Sequence, residues 1–183
     1  VNSTKLNLII RPTGSYTIDI TELGDARHKL TLTYRNPLPE WEIGRDPDLV
    51  KKLMLGGLYG GYLRVFVPEG STGFVAHLDG EPASLEDIGN EVEKDWYGVF
   101  LSLPAGAEKV ITLQWSVPLA TTSPRASTYD LYLQKQPGTP GLCLNLMITR
   151  VGEMAHSMEM NGGSIDEQGR LCASTDVRIH AKW

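Results

Sequence analysis

The segment Glu153–Met160 holds the residues whose types and spacing are best suited to chemistry. If it forms one strand, Met154, His156, Met158 and Met160 share a face, and thioether and imidazole ligands suit a soft metal such as Cu(I). Neighbouring ligands on a strand lie about 6.5–7 Å apart, which is too far for adjacent pairs to reach one ion without bending. We therefore favour methionines that fill a core, with a histidine at its edge, and predict no metal and no other cofactor.

Aromatic residues in or beside irregular segments are the second candidate. We predict an aromatic platform formed by Trp41, Tyr59, Tyr62 and Trp96. Exposed rings of this kind bind the flat faces of sugars or peptide side chains. The alternative is that the rings pin long loops onto the sheets, and Trp41 is the ring that strand packing explains least.

The acidic pairs and the nucleophile motifs do not indicate an enzyme. Glycoside hydrolysis needs two carboxylates that face each other across a cleft, and the sequence places no pair in that way. The segment 69–73 lacks the first glycine of a nucleophile elbow. The four histidines fall on separate predicted strands: His28, His77, His156 and His180. We expect no catalytic residue.

The chain has two cysteines, Cys143 and Cys172, and their spacing matches no zinc or redox motif. A disulfide between them would close a loop of about 29 residues and would stabilise the fold by roughly 3–4 kcal/mol. Two unpaired, half-buried thiols are the alternative, and the sequence leaves both open.

Apolar residues alternate with polar ones along most of the chain, and this period-two pattern predicts about ten β-strands. Proline and glycine residues mark the corners between them. The segment 177–183 shows this pattern. Its charged and apolar residues alternate, as they do in a strand with one solvent-exposed face. We predict a mainly all-β fold, an antiparallel β-sandwich that is immunoglobulin-like in general architecture.

One segment departs from the strand pattern. Residues 46–55 have an acidic start, Pro47 in a position suited to a first helical turn, and apolar residues at helical spacing. A short helical insertion is predicted there. We expect residues 1–183 to form a single sandwich domain, with residues 154–183 as part of it or as an appended hairpin. Because the chain begins at Val1 rather than methionine, we interpret it as a piece excised from a longer protein.

Composition and charge exclude some classes of partner. The net charge is −5, and no Lys/Arg cluster is longer than Lys51-Lys52, so we expect no nucleic acid partner. No apolar run approaches the roughly 20 residues that span a bilayer, so we expect no membrane contact by this part of the protein.

Four strand-and-corner motifs follow one another along the chain: Leu30–Asn36, Tyr62–Ser71, Gly98–Pro104 and Tyr129–Gly138. In this order they resemble the C-terminal β-domain of the bacterial domain of unknown function 4012 family, over residues 29–148. The resemblance implies a membrane-anchored envelope protein with this domain on its extracellular face, and it assigns no catalytic residue. We therefore expect a non-catalytic binding module that contacts envelope proteins or wall polymer. An enzyme acting on envelope polysaccharide and a structural spacer are the alternatives.

Overall fold

The computed structural model describes residues 6, 9–38, 44–48, 57–85, 87–119, 127–135 and 141–183. These residues form an almost wholly β structure of three sheets, which confirms the predicted all-β sandwich. The strands are β1 Thr13–Ile20, β2 Asp25–Arg35, β3 Tyr59–Pro68, β4 Thr72–Leu78, β5 Glu81–Pro82, β6 Asp87–Asn90, β7 Lys94–Leu103, β8 Glu108–Pro118, β9 Thr128–Leu133, β10 Leu142–Arg150, β11 Glu153–Met154, β12 Ser157–Asn161, β13 Ser164–Ile165, β14 Leu171–Ala173 and β15 Val177–Lys182.

The large sheet has the strand order β13-β14-β10-β1-β2-β8-β4-β5, and β11 adds to it beside β10. Its pairs are antiparallel except for β1 and β10, which run parallel with Ile18 opposite Ile148. The sandwich is thus antiparallel, as predicted, apart from this one pair among the described strands. A period-two pattern reports which residues are buried, but it does not record the direction of the neighbouring strand.

Two three-stranded sheets, with the orders β3-β7-β6 and β12-β15-β9, face the large sheet. On the large sheet, His28 lies opposite Trp115 on the buried side. Phe74 of β4 stacks on Tyr97 of β7 with ring centroids 3.8 Å apart, while the Tyr129 hydroxyl of β9 lies 3.5 Å from His28 Nε2. Buried residues of all three sheets belong to one core cluster, so both small sheets close the same core.

His28 is the polar centre of that core. Its Nδ1 lies 2.7 Å from the Tyr16 hydroxyl, and its ring stacks on Trp115 with centroids 4.9 Å apart. Burial lowers the pKa of His28 to about 4, because a charged imidazolium is disfavoured away from water. Burial also raises the pKa of Tyr16 well above its usual value, with a further contribution from Tyr129. The cluster is therefore neutral at pH 7.

The predicted helical insertion lies mostly outside the described residues. Pro47 and Asp48 are helical, and the Asp48 N–H donates to Asp46 Oδ1 at 2.9 Å, as at the start of a helix. Residues 49–56 are not among those described. No helix in the described part of the chain is long and apolar enough to cross a bilayer.

The C-terminal segment does not form an appended hairpin. Its β14 pairs with β10 of the large sheet, while its β15 lies between β12 and β9. Val177, Ile179 and Ala181 of β15 are all buried. Residues 154–183 thus complete two sheets and the core between them.

Candidate functional site

The outer side of the β3-β7-β6 sheet carries four aromatic rings. Tyr62 of β3 lies opposite Phe100 of β7, and Phe66 lies opposite Trp96. Tyr62, Phe66 and Phe100 are 42%, 46% and 51% exposed, and Trp96 is half-buried. The two pairs are separated by four residues on each strand, or about 13 Å. We call Tyr62, Arg64, Phe66, Trp96 and Phe100 the aromatic face.

Glycines beneath the rings allow them to lie down on the sheet. A Cβ atom at Gly98 would collide with the Tyr62 ring, and one at Gly89 would lie 2.6 Å from Trp96 Cζ2. The Phe100 ring lies at ordinary contact distance from Gly60, with Cζ 3.6 Å from a Cβ atom placed there. Side chains at Gly98 and Gly89 would displace the Tyr62 and Trp96 rings from the sheet. These two rings therefore lie against the backbone of the neighbouring strand.

Arg64 lies between the two pairs of rings. Its guanidinium carbon is 4.1 Å from the centroid of the Trp96 ring and 5.8 Å from that of Tyr62. At these distances a cation is attracted to the negative face of the ring. Arg64 lies opposite Gly98, the glycine that the Tyr62 ring covers. The aromatic face thus has one cation at its centre.

The inner side of the same sheet is packed independently of these rings. Val67, Val99, Leu101 and Leu103 alternate with the outward residues and are each at most 3% exposed. Tyr97 adds its stack on Phe74. The core contacts of this sheet are thus made by its inward residues, while the outward rings remain accessible as an apolar patch. Such patches typically mark binding sites.

The structure brings two of the four predicted platform residues together. Tyr62 and Trp96 belong to the aromatic face. Tyr59 is three residues from Tyr62 on the same strand, so it points to the other side, where burial raises its pKa. Trp41 lies outside the described residues.

Phe66 and Phe100 belong to the aromatic face but were not among the predicted platform residues. A signal for them is present in the sequence. Both lie out of phase with the buried residues of their strands, as do Tyr62 and Trp96. The missing information is the pairing of β3 with β7, which joins Phe66 to Trp96, 30 positions away, and Tyr62 to Phe100, 38 positions away.

The metal candidates Met154, His156 and Met158 do not share a strand. β11 ends at Met154 in the large sheet, and β12 begins at Ser157 in the β12-β15-β9 sheet. The interpretation of residues 153–160 as one strand is wrong because the chain changes sheets at residues 155 and 156. There the Ala155 N–H bonds to the Ile148 carbonyl, while the His156 N–H bonds to that of Lys182.

Cys143 and Cys172 lie opposite each other on β10 and β14 and are joined by a disulfide. Asp166 lies beside them, with Oδ2 3.8 Å from Cys172 Sγ. Arg170 donates to that carboxylate from its backbone N–H at 2.9 Å and from its side chain at 2.8 Å. The backbone hydrogen bond from Arg170, together with the other contacts of this turn, lowers the pKa of Asp166. The three side chains place possible metal ligands within 4.8 Å of one another, but the disulfide occupies both sulfurs.

Comparisons with known proteins leave the chain without an assigned family. No family model matches the sequence, and no curated protein matches it. Among solved structures, aminopeptidase A of Legionella pneumophila is 10% identical with a TM-score of 0.43, covering 94% of this chain and 21% of that one. An M1 zinc metallopeptidase of Deinococcus radiodurans is 11% identical with a TM-score of 0.41, covering 94% and 42%. Yeast LTA4 hydrolase is 10% identical with a TM-score of 0.44, covering 99% and 29%. This chain therefore spans less than half of each, and the likeness carries no functional argument.

Proposed function

We propose that this chain is a non-catalytic domain of a bacterial cell-envelope protein, and that its aromatic face binds a glycan of the cell wall. The observation that carries the proposal is the group of outward rings around Arg64, of which Tyr62 and Trp96 lie against glycines and Tyr62, Phe66 and Phe100 are exposed. Rings that lie down offer their faces, and the C–H faces of pyranose sugars are flat and apolar. A protein partner would more often be met by rings that insert into pockets.

The charge of the molecule favours a glycan over a nucleic acid. Aromatic rings with an arginine also stack on nucleobases. Binding a polyphosphate chain, however, requires a groove lined with several cations. The chain has a net charge of −5, and Arg64 is the one cation stacked on rings of the aromatic face among the described side chains. A weakly charged polymer is the better fit.

The disulfide supports an extracellular location. Disulfides persist in oxidising compartments, such as the outside of the bacterial envelope, and are rare in the cytosol. The Cys143–Cys172 bond joins β10 and β14 of the large sheet, and it would stabilise the fold in that environment. The resemblance to the domain of unknown function 4012 family points to the same compartment.

A binding screen with matched variants tests the proposal. The domain is titrated with peptidoglycan fragments and wall polysaccharides, with Tyr62→Ala and Trp96→Ala as the test variants. Tyr132→Ala is the matched control, because Tyr132 is a similarly exposed ring, 46%, on the other small sheet. We expect a glycan that binds the parent and the control and is lost in both test variants. Binding to no glycan, or equal binding by all variants, would contradict the proposal and favour a spacer.

A further inference from the structure

Arg64 has an unusual environment for an exposed arginine. Its guanidinium stacks on Trp96 and lies near Tyr62, yet it forms no ion pair with any described side chain. The other arginine stacked on a ring of a small sheet, Arg178 over Tyr132, lies near the carboxylate of Asp176, which accepts from the Tyr132 hydroxyl. Among the described side chains, no anion therefore neutralises the charge of Arg64.

Stacking fixes the direction in which Arg64 offers its hydrogen bonds. A guanidinium has five N–H donors in one plane, and this planar fork matches the two oxygens of a carboxylate. When one face of the plane covers a ring, the donors at its edge stay free for a bidentate anion.

We propose that the aromatic face selects a glycan that carries carboxylate groups, and that Arg64 binds one carboxylate while the two pairs of rings stack on sugars at either side. This inference rests on the proposed function and names the ligand class of the same site. Tyr62 and Phe100 form one stacking position, and Phe66, beside the Trp96 ring that Arg64 covers, provides the other.

The surrounding charges fit a carboxylated sugar better than a phosphate polymer. Lys94 is another cation of this sheet and lies at the start of β7. Its Nζ donates a hydrogen bond to Gln134 Oε1 at 2.9 Å. The described side chains thus offer one unengaged guanidinium within the row of rings. A single fork neutralises one carboxylate, whereas a polyphosphate requires many cations within a −5 protein.

Pairs of oligosaccharides that differ only in charge test this inference. The probes are oligosaccharides in which one glucuronate, galacturonate or mannuronate residue lies between neutral sugars, together with muramic-acid-containing peptidoglycan fragments. Each is compared with its counterpart in which the carboxyl is reduced to an alcohol, and a glycerol-phosphate teichoic acid is the phosphate probe. We expect at least one acidic probe to bind about 10- to 100-fold more tightly than its reduced partner, the range for a charged hydrogen bond.

A series of variants tests whether Arg64 causes the preference for acidic probes. Arg64→Gln is expected to bring the acidic probe to the affinity of its reduced partner, while Arg64→Lys retains part of the preference. Arg178→Gln is the control, since Arg178 also covers a ring but on the other small sheet. The Nε–H NMR signal of Arg64 should shift with the acidic probe alone, a change that a purely structural role would not produce.

The outcomes separate this inference from the proposed function. Equal binding of acidic and reduced probes, lost in Tyr62→Ala, would overturn the role of Arg64 and leave the glycan site standing. A preference for the teichoic acid would also overturn it. Binding of no probe in any pair would overturn both.

Discussion

The two small sheets have the same construction but different outer sides. Each has three antiparallel strands, and each buries its inner side on the same large sheet. The β12-β15-β9 sheet presents polar and charged pairs outward, such as His180 Nδ1 with Asp130 Oδ1 at 2.7 Å and the ion pair of Lys182 with Glu159. The β3-β7-β6 sheet instead presents aromatic rings outward, with Tyr62 and Trp96 lying against glycines.

The difference shows which features the fold requires. The β12-β15-β9 sheet demonstrates that a small sheet of this sandwich is compatible with a charged outer side. The β3-β7-β6 sheet instead exposes apolar rings, which are an aggregation liability, and contains strand glycines, which weaken strands. Features that oppose stability and solubility are expected where binding requires them. The contrast between the two outer sides is therefore the basis for assigning the site.

The largest expected effect is a loss of unfolding free energy when a buried residue is truncated on the inner side of either small sheet. The two small sheets should respond alike. Leu101→Ala on β7 and Ile179→Ala on β15 each remove a side chain that is at most 3% exposed. Each should lower the free energy of unfolding by about 2–5 kcal/mol, because a cavity is left in the core. Urea unfolding monitored by circular dichroism measures both. A loss in only one variant would show that one small sheet is not part of the common core.

Acid should destabilise the core through His28, which contacts Tyr16, Trp115 and Tyr129 of β9. The pKa of His28 is about 4 in the native state and 6.5 in the unfolded chain, so between these values the unfolded state binds more protons. Stability therefore falls as the pH drops from 6.5 to 4, by about 3 kcal/mol from this group. Urea unfolding at pH 7 and pH 4 measures the loss.

The control for the acid effect is His28→Phe, which keeps a buried ring without a titrating group. The variant should lose less stability between pH 7 and pH 4 than the parent does. An equal loss in both proteins would assign the acid sensitivity to other groups.

Moving the Tyr62 ring away from the sheet should reduce glycan binding and have little effect on folding. Gly98→Ala places a methyl group against the Tyr62 ring and should tilt it away from the sheet. We expect about a tenfold loss of glycan affinity, equivalent to about 1.4 kcal/mol. Calorimetric titration measures it. In a double variant with Tyr62→Ala, Gly98→Ala should cause no further loss, and an additive effect would contradict the role of the ring.

The smallest effects should come from the outer sides themselves. Phe100→Ser and Lys182→Gln alter exposed positions on the two small sheets, and neither removes a core contact. Both should leave the urea midpoint nearly unchanged. Only Phe100→Ser should reduce glycan binding, and a large stability loss in that variant would mean that the rings are structural.

Alternation along a strand allowed part of this arrangement to be predicted. It separates the buried from the exposed residues of β15, and it places Tyr62, Arg64 and Phe66 on one side of β3. The same rule puts Tyr59 on the opposite side, because side chains separated by an odd number of positions along a strand point to opposite faces of the sheet. Treating Tyr59 as a loop residue hid that consequence.

Strand pairing could not be predicted from the sequence. The apolar alternation continues from Met154 to Met160, although the chain leaves one sheet and joins another at residues 155 and 156. In the same way, only the register of β3 against β7 brings Phe100 beside Tyr62. Local pattern depends on burial, whereas pairing depends on contacts between distant segments.

The most direct test of the account is an NMR titration of the domain with wall glycan fragments, observing the two outer sides together. The account predicts that signals of the aromatic face shift, including the ring of Trp96 and the side chain of Arg64. Signals of Tyr132 and His180 on the other small sheet should stay in place. Shifts confined to the β12-β15-β9 sheet, or no shifts with any fragment, would contradict the assignment of the aromatic face as the binding site.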